Sequence, residues 1–183
     1  MARVGEVKLE TLSPRQQELH DEFLKSRPRA TLTGPFSVLI HTPDIAEPAD
    51  KLVNYYRQKA KIGRRLVELV ILITAREYDC EYVWTAHEPQ GLKAGLQPEI
   101  VDVVKYRKST DGLAEKDAVI ITLGREVIGK HHVSSEVAAR ALALYGKQGL
   151  VNIVALMGDY ASTAILLDTF DQHVRPADKP LMP

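Results

Sequence analysis

Glu68-Leu-Val-Ile-Leu-Ile-Thr-Ala-Arg-Glu-Tyr-Asp-Cys80-Glu-Tyr-Val83-Trp84-Thr-Ala-His87 is the stretch whose reading decides the fold. After Gly63, the residues Leu66, Leu69, Val70, Ile73 and Thr74 recur at helical spacing, which predicts a mostly buried helix. Asp79 reads as the N-cap of the next helix, which runs to about Ala94 and stops at Gly95. Two successive helices therefore carry an acid, the only cysteine, an aromatic and a histidine. Three residues after Cys80, where a partner thiol would sit, the chain has Val83. An internal disulfide is excluded, so acid, base and thiol have to be considered separately.

Outward from this stretch, glycine and proline punctuate further helical segments, and no strand alternation is found. Ser13-Pro14 opens a helix through about Lys25. The short apolar segment from Gly34 through Phe36 to His41 ends at Thr42-Pro43, which opens a helix to about Lys59. Gln97-Pro98-Glu99 begins another, ending before Lys108 to Gly112. Ala114 to Lys130, Ser134 to Tyr145 and Lys147 to Phe170 complete an all-α single domain over residues 1–183. The tail after Arg175 has three prolines in eight residues and reads as irregular or draped on a neighbour.

At 183 residues the chain can bury a core without staples, and 24 basic residues balance 24 acidic ones. That balance argues against nucleic acid or an anionic membrane as partner. The basic cluster from Lys59 to Arg65 is read as a solvated helix end. The N-terminus has no run fit for a signal peptide, and the apolar runs Leu69 to Ile73 and Ile153 to Met157 are too short to span a bilayer. With one cysteine, these features predict a soluble cytoplasmic protein; zero net charge permits self-association.

If Asp79 caps the helix, Cys80 is its first residue, where the helix dipole would lower the thiol pKa. Cys80, Val83 or Trp84, and His87 then form one stripe on one helix face. Glu68 reaches that stripe only through helix–helix packing. Each residue also has a structural reading. A lone cysteine such as Cys80 is more often a small buried apolar residue, and a lone histidine such as His87 more often a satisfied structural one. Glu68 could be ion-paired to Arg64, Arg65 or Arg76, while Tyr82 and Trp84 serve as core or interface aromatics. Glu81 is accounted for by the helix dipole. His131-His132 lacks the further ligands a metal site needs. Asp159-Tyr160 and Asp168, in the apolar final helix, border a cavity or a subunit contact. No phosphate loop, dinucleotide glycine motif or serine elbow is present.

At these residues the chain resembles the carboxymuconolactone decarboxylase superfamily, which includes the alkylhydroperoxidase D peroxidases. The peroxidase pattern is a glutamate, a Cys-x-x-Cys twelve residues on, and a histidine four after the second cysteine. Glu68, Cys80 and His87 match in register, with Val83 at the second cysteine position. Trp84-Thr-Ala-His87 resembles the decarboxylase branch, and residues 91–100 resemble the family's hinge into its next helix. The likeness is strongest over 60–107, with a family-like core over about 36–145. Gly34-Pro-Phe36 and Arg140 through Tyr145 to Gly146 resemble decarboxylase-like members.

The resemblance implies an all-helical bundle assembled as a homotrimer or homohexamer, with active sites near subunit contacts. It favours a cofactor-free, metal-free acid/base enzyme acting on a small carbonyl or carboxylate compound. His87 would be the acid/base, with Glu68 orienting it or carrying a second proton. Tyr82 and Trp84 would shape the pocket, and Arg64 or Arg65 would hold a substrate carboxylate. Two alternatives stay open. One is a single-cysteine peroxidase or thiol sensor using Cys80, which needs an external thiol because Val83 replaces the resolving one. The other is a non-catalytic oligomeric binding protein.

Overall fold

The computed structural model describes residues 3–4, 7–26, 32–172 and 179–183. Among them there are helices and no strands. In chain order these are α1 (Pro14–Ser26), α2 (Pro35–Leu39), α3 (Pro43–Gln58), α4 (Arg64–Glu77), α5 (Glu81–Lys93), α6 (Pro98–Lys105), α7 (Glu115–Gly124) and α8 (Ser135–Thr169). A 3-10 turn at Leu9–Thr11 precedes α1, and a π turn at Arg125–Gly129 follows α7.

Helix α4 is the axis of the molecule. Every residue from Val67 to Ala75 is buried, and α5, α6, α7 and α8 pack around it. A helix apolar on all sides has to be enclosed, and each fully buried leucine or isoleucine contributes about 1.5–3 kcal/mol. The fit between α4 and α7 is close: a Cβ on Gly124 would lie 2.3 Å from Ile73 Cγ2. A second, smaller apolar cluster joins Leu19 of α1 to Phe36 and Ile40 around α2 and Ala46 of α3. There Phe23 stacks on Phe36 with ring centroids 3.9 Å apart. Gly34 leads into α2 with φ +63°, and the Tyr82 hydroxyl would stand 2.3 Å from any Cβ there. Both the left-handed backbone and the close ring require glycine at this position.

Several boundaries differ from the sequence reading for identifiable reasons. Asp79 is not the cap of α5. It adopts φ +48° in the α4–α5 turn, where its carboxylate pairs with Arg76 and Arg107, and Cys80 takes the N-cap position. The helix expected over Ala114 to Lys130 is present as α7, whose continuation widens into the π turn, in which Glu126 accepts from the Ser134 backbone and hydroxyl. The two final helices are separated at Gly146 (φ +64°, ψ 171°), as expected, so α8 is two helices meeting at a kink, and Ser134 caps the first through the Val137 N–H. By length and composition alone α8 would be long and apolar enough to cross a membrane, as core helices of soluble proteins also are. Here it bends and packs on α4 and α7.

The chain's end is irregular, as expected, but it lies on its own α5. The Leu181 and Met182 N–H groups donate to the Glu81 carboxylate at 2.7 and 3.2 Å. Glu81 therefore holds the tail as well as facing the helix dipole. The part of that tail at 173–178 lies outside the described residues.

Candidate active site

Antiparallel pairing of α4 and α5 brings Glu68 and His87 together. Glu68 lies ten residues before the turn at 78–80 and His87 seven after it, so a hairpin of two helices brings them to within about a turn of each other. The His87 Nδ1–Glu68 Oε2 distance is 2.7 Å, with Glu68 fully buried and His87 6% exposed. Arg64, one turn before Glu68 on α4, brings Nη2 to 2.5 Å from Glu68 Oε1. This is an ion pair without hydrogen-bond alignment, and the same Nη2 donates to Gln90 Oε1 at 2.9 Å. The structural ion pair and the Glu68–His87 contact thus coexist on one carboxylate.

On the far side of the imidazole, the Tyr160 hydroxyl lies 3.4 Å from His87 Nε2, and the rings meet edge to face at 5.3 Å. Arg57 Nη2 on α3 donates to the Tyr160 hydroxyl at 3.3 Å. A hydroxyl that accepts from a guanidinium turns its own proton outward, here toward Nε2. Nδ1 then carries the imidazole proton and donates it to Glu68, leaving Nε2 as the acceptor. Burial pushes the His87 pKa down from its ordinary value. The Glu68 hydrogen bond and charge oppose this, and the Arg57 and Arg64 charges add to it. The imidazole is accordingly neutral at pH 7, with its basic nitrogen toward Tyr160.

A cavity of ≈ 170 Å³ opens beside this chain of groups. Its walls come from α1, α2, α3, α5 and α8. Phe23, Phe36, Leu39, Val53 and Val83 make it apolar, while Arg57, His87, Asp159 and Tyr160 form a polar end. Burial raises the Tyr160 pKa against the pull of Arg57. It also raises the Asp159 carboxyl to about 6, again opposed by Arg57.

The structure gathers some of the expected residues here and sends others elsewhere. Tyr82 lines the cavity, as expected. Trp84 does not: it is fully buried in the main core, its indole N–H held by Glu88, and Lys105 lies over its ring at 5.8 Å. Arg65 is committed to Asp117 through two contacts of 2.8 and 2.9 Å and also does not line the cavity. Arg64 is likewise absent from the cavity wall, held behind His87 by Glu68 and Gln90.

Cys80 faces the main core and does not line the cavity. The expected lowering of its pKa is reversed. Burial raises it, outweighing the N–H groups of Val83 and Tyr82 at the helix start. His131 and His132 are both exposed, and no metal-holding cluster is found among the described residues. Asp159 and Tyr160 border a cavity, whereas Asp168 is exposed and does not line it.

Arg57 is the residue that sequence reading missed. Its signal was present on α3, where Ala46, Ala49, Asp50, Val53 and Arg57 form one stripe at helical spacing, and all of them line the cavity. A cation ending a stripe that carries Ala46, Ala49 and Val53 beside Asp50 marks a polar end to a largely apolar slot.

No family model and no curated protein matches the chain. Solved structures do. An uncharacterised peroxidase-related protein from Ralstonia eutropha with an alkylhydroperoxidase AhpD core aligns at TM-score 0.76 and 13% identity, over 96% of this chain and 93% of that one. The debrominase Bmp8 aligns at TM-score 0.73 and 13% identity, over 93% and 91%. A protein of unknown function from Agrobacterium tumefaciens, described as a candidate AhpD antioxidant defence protein, aligns at TM-score 0.67 and 14% identity, over 75% and 94%. The helical fold of this chain is that of the AhpD-like proteins.

Proposed function

We propose that the protein is a cofactor-free acid/base enzyme acting on a small carbonyl or carboxylate compound held in the α3–α5–α8 cavity. The observation that carries this reading is the orientation of His87, with Nδ1 on Glu68 at 2.7 Å and Nε2 toward Tyr160 at the cavity's polar end. Neutral His87, directly or through the Tyr160 hydroxyl, takes a proton from the carbon beside a carbonyl. The electron pair of the broken C–H bond moves onto the carbonyl oxygen as an enolate, which the Arg57 charge stabilises. Return of the proton to a different carbon completes an isomerisation. In a decarboxylation the carbon–carboxylate bond supplies the electron pair instead, carbon dioxide leaves, and the Tyr160 hydroxyl gives its proton to the enolate carbon and is reprotonated from solvent.

Cys80 supports the competing peroxidase reading poorly, since its thiol is off the cavity and its pKa is raised. The debrominase Bmp8 has been solved as a cysteine-to-alanine variant in complex with 2,3,4-tribromopyrrole, a compact ring held by a protein of this fold. A homotrimer or homohexamer remains part of the proposal. It is supported by Val151, Val154 and Ile165, which stand exposed at helical spacing on α8.

The test is deuterium exchange in heavy water, followed by proton NMR, over a panel of carboxylated lactones and related carbonyl acids. Wild type should exchange a proton beside the carbonyl of its substrate, and His87→Ala should slow this about 10²- to 10⁴-fold while keeping its helical spectrum. A fully active His87→Ala sinks the mechanism.

A further inference from the structure

Arg57 Nε and Asp159 Oδ2 are both buried, and neither has a hydrogen-bond partner. Both side chains line the same cavity, one from α3 and one from α8. A buried donor and a buried acceptor left unpaired beside one cavity, without bonding each other, call for a group between them that satisfies both. We propose that Arg57 and Asp159 clamp the polar head of the ligand, and that this head is a carboxyl group sharing one proton with the Asp159 carboxyl. Its C=O or C–O⁻ accepts from Arg57 Nε–H, and a single O–H···O bond joins it to Asp159.

Charge dictates the shared proton. Asp159 faces Arg57, Asp50 and Tyr56 from α3, Tyr82 and His87 from α5, and Tyr160 on its own helix. Glu68 of α4 lies behind His87, and α2 contributes no titratable group. Among the described residues Arg57 is the one cation on the wall, and it already feels Glu68 and Asp50. A ligand carboxylate beside an ionised Asp159 would place two adjacent anions in a low-dielectric slot against that single cation. One of them must take a proton. Burial already holds Asp159 close to that state, with its carboxyl raised to about 6.

The rest of the cavity sets the ligand's body. The ≈ 170 Å³ space is walled by Phe23, Phe36, Leu39, Val53 and Val83. A dry cavity of about 150 Å³ accepts benzene, so a single ring or a compact alicyclic body fits. The structure thus assigns the site to small monocarboxylic acids with an apolar ring-sized body. This rests on the reading of the cavity as a substrate site but not on turnover.

Calorimetric titration with benzoate between pH 6 and 8, repeated in buffers of different ionisation heat, tests the clamp. Wild type should take up about half a proton per benzoate at pH 6, rising to about one by pH 8, with Kd rising about tenfold per pH unit above the Asp159 transition. In Asp159→Asn the amide N–H donates to the carboxylate. Binding should then persist without proton uptake and with a flat pH dependence. Arg57→Gln should weaken binding at least tenfold at pH 6.

Absence of saturable millimolar binding by wild type at pH 6 overturns the proposal. So does wild-type binding without proton uptake, or a Kd unchanged by both substitutions. An inactive enzyme that still takes benzoate with a proton removes the acid/base reading alone. An active one that takes it without a proton removes the clamp alone.

Discussion

Glu68→Gln tests the orientation of His87 at the cost of one charge and no change in volume. Glu68 Oε2 accepts from His87 Nδ1 at 2.7 Å, and Oε1 sits 2.5 Å from Arg64 Nη2. In the variant the carboxamide oxygen belongs toward the guanidinium, which can only donate, so the amide N–H₂ turns toward His87. Nδ1 must then accept, and the ring proton moves to Nε2. The hydrogen bond to a charged group is worth about 1.5–3 kcal/mol. The Arg64 pair adds less than about 1 kcal/mol, because that guanidinium is 39% exposed. Relief of the buried charge offsets part of this loss, and no buried charge is orphaned, since His87 is neutral and Arg64 reaches solvent. A net loss of about 1–2 kcal/mol, or about 2–8 °C in Tm, is expected.

The assay is nitrogen-15 NMR of the imidazole alongside thermal melting. Wild type at pH 7.5 should show the Nδ1–H tautomer, and the variant the Nε2–H tautomer. Turnover should fall steeply; a wrong tautomer costs about 10⁴ in the serine proteases. The sign with pH is also fixed. The folded His87 pKa lies below its unfolded value, so its stabilising contribution is full above the unfolded value of about 6.5 and is lost as pH falls through the folded one. Without the Glu68 charge, which raises the His87 pKa, that loss shifts to lower pH. An Nε2–H tautomer in wild type, or an unchanged tautomer in the variant, refutes the reasoning.

Other outcomes follow from the packing. Cys80 should react with iodoacetamide across pH 5–9 no faster than a free thiol, and Cys80→Ala should keep any exchange activity; fast labelling below pH 7 would return the redox reading. Gly124→Ala should lose about 1–3 kcal/mol in a denaturant melt, because its methyl would stand 2.3 Å from Ile73 Cγ2 between two packed helices; an unchanged midpoint would show that α7 can shift freely.

The fold was legible because apolar spacing, proline and glycine all agreed along the chain. Pro14, Pro43 and Pro98 each begin a helix, and Gly63 precedes the central one. The Asp79 cap misled because a short acidic side chain before a helix serves equally well as a left-handed turn residue. Arg76 and Arg107 hold it in that second role. The Glu68–His87 contact could be proposed from the hairpin but not measured from spacing, because it depends on how two helices rotate about their axes. Trp84 and Arg65 were expected at the pocket because sequence proximity to Cys80 and Glu68 stood in for direction. On a helix, neighbours in sequence point apart, and these two face the core and Asp117. Arg57 comes from a helix remote in the sequence from the motif, so nothing in the motif could name it, whereas Asp159 was legible as a polar residue of an apolar helix bordering a cavity.

One physical cause accounts for the character of this site. Desolvation in the interior lowers the basicity of His87 and raises the thiol pKa of Cys80, so it disfavours imidazolium and thiolate together. A redox thiol with a histidine partner needs both charged forms, each stabilising the other, and this site provides neither of them at neutral pH. The same burial lowers the basicity of His87 and raises the Asp159 carboxyl to about 6, placing an acceptor and an acid on one cavity. Val83 at the second cysteine position fits this arrangement, since it lines the apolar wall. A thiol there would make a small apolar cavity more polar and would still face a Cys80 whose burial resists ionisation.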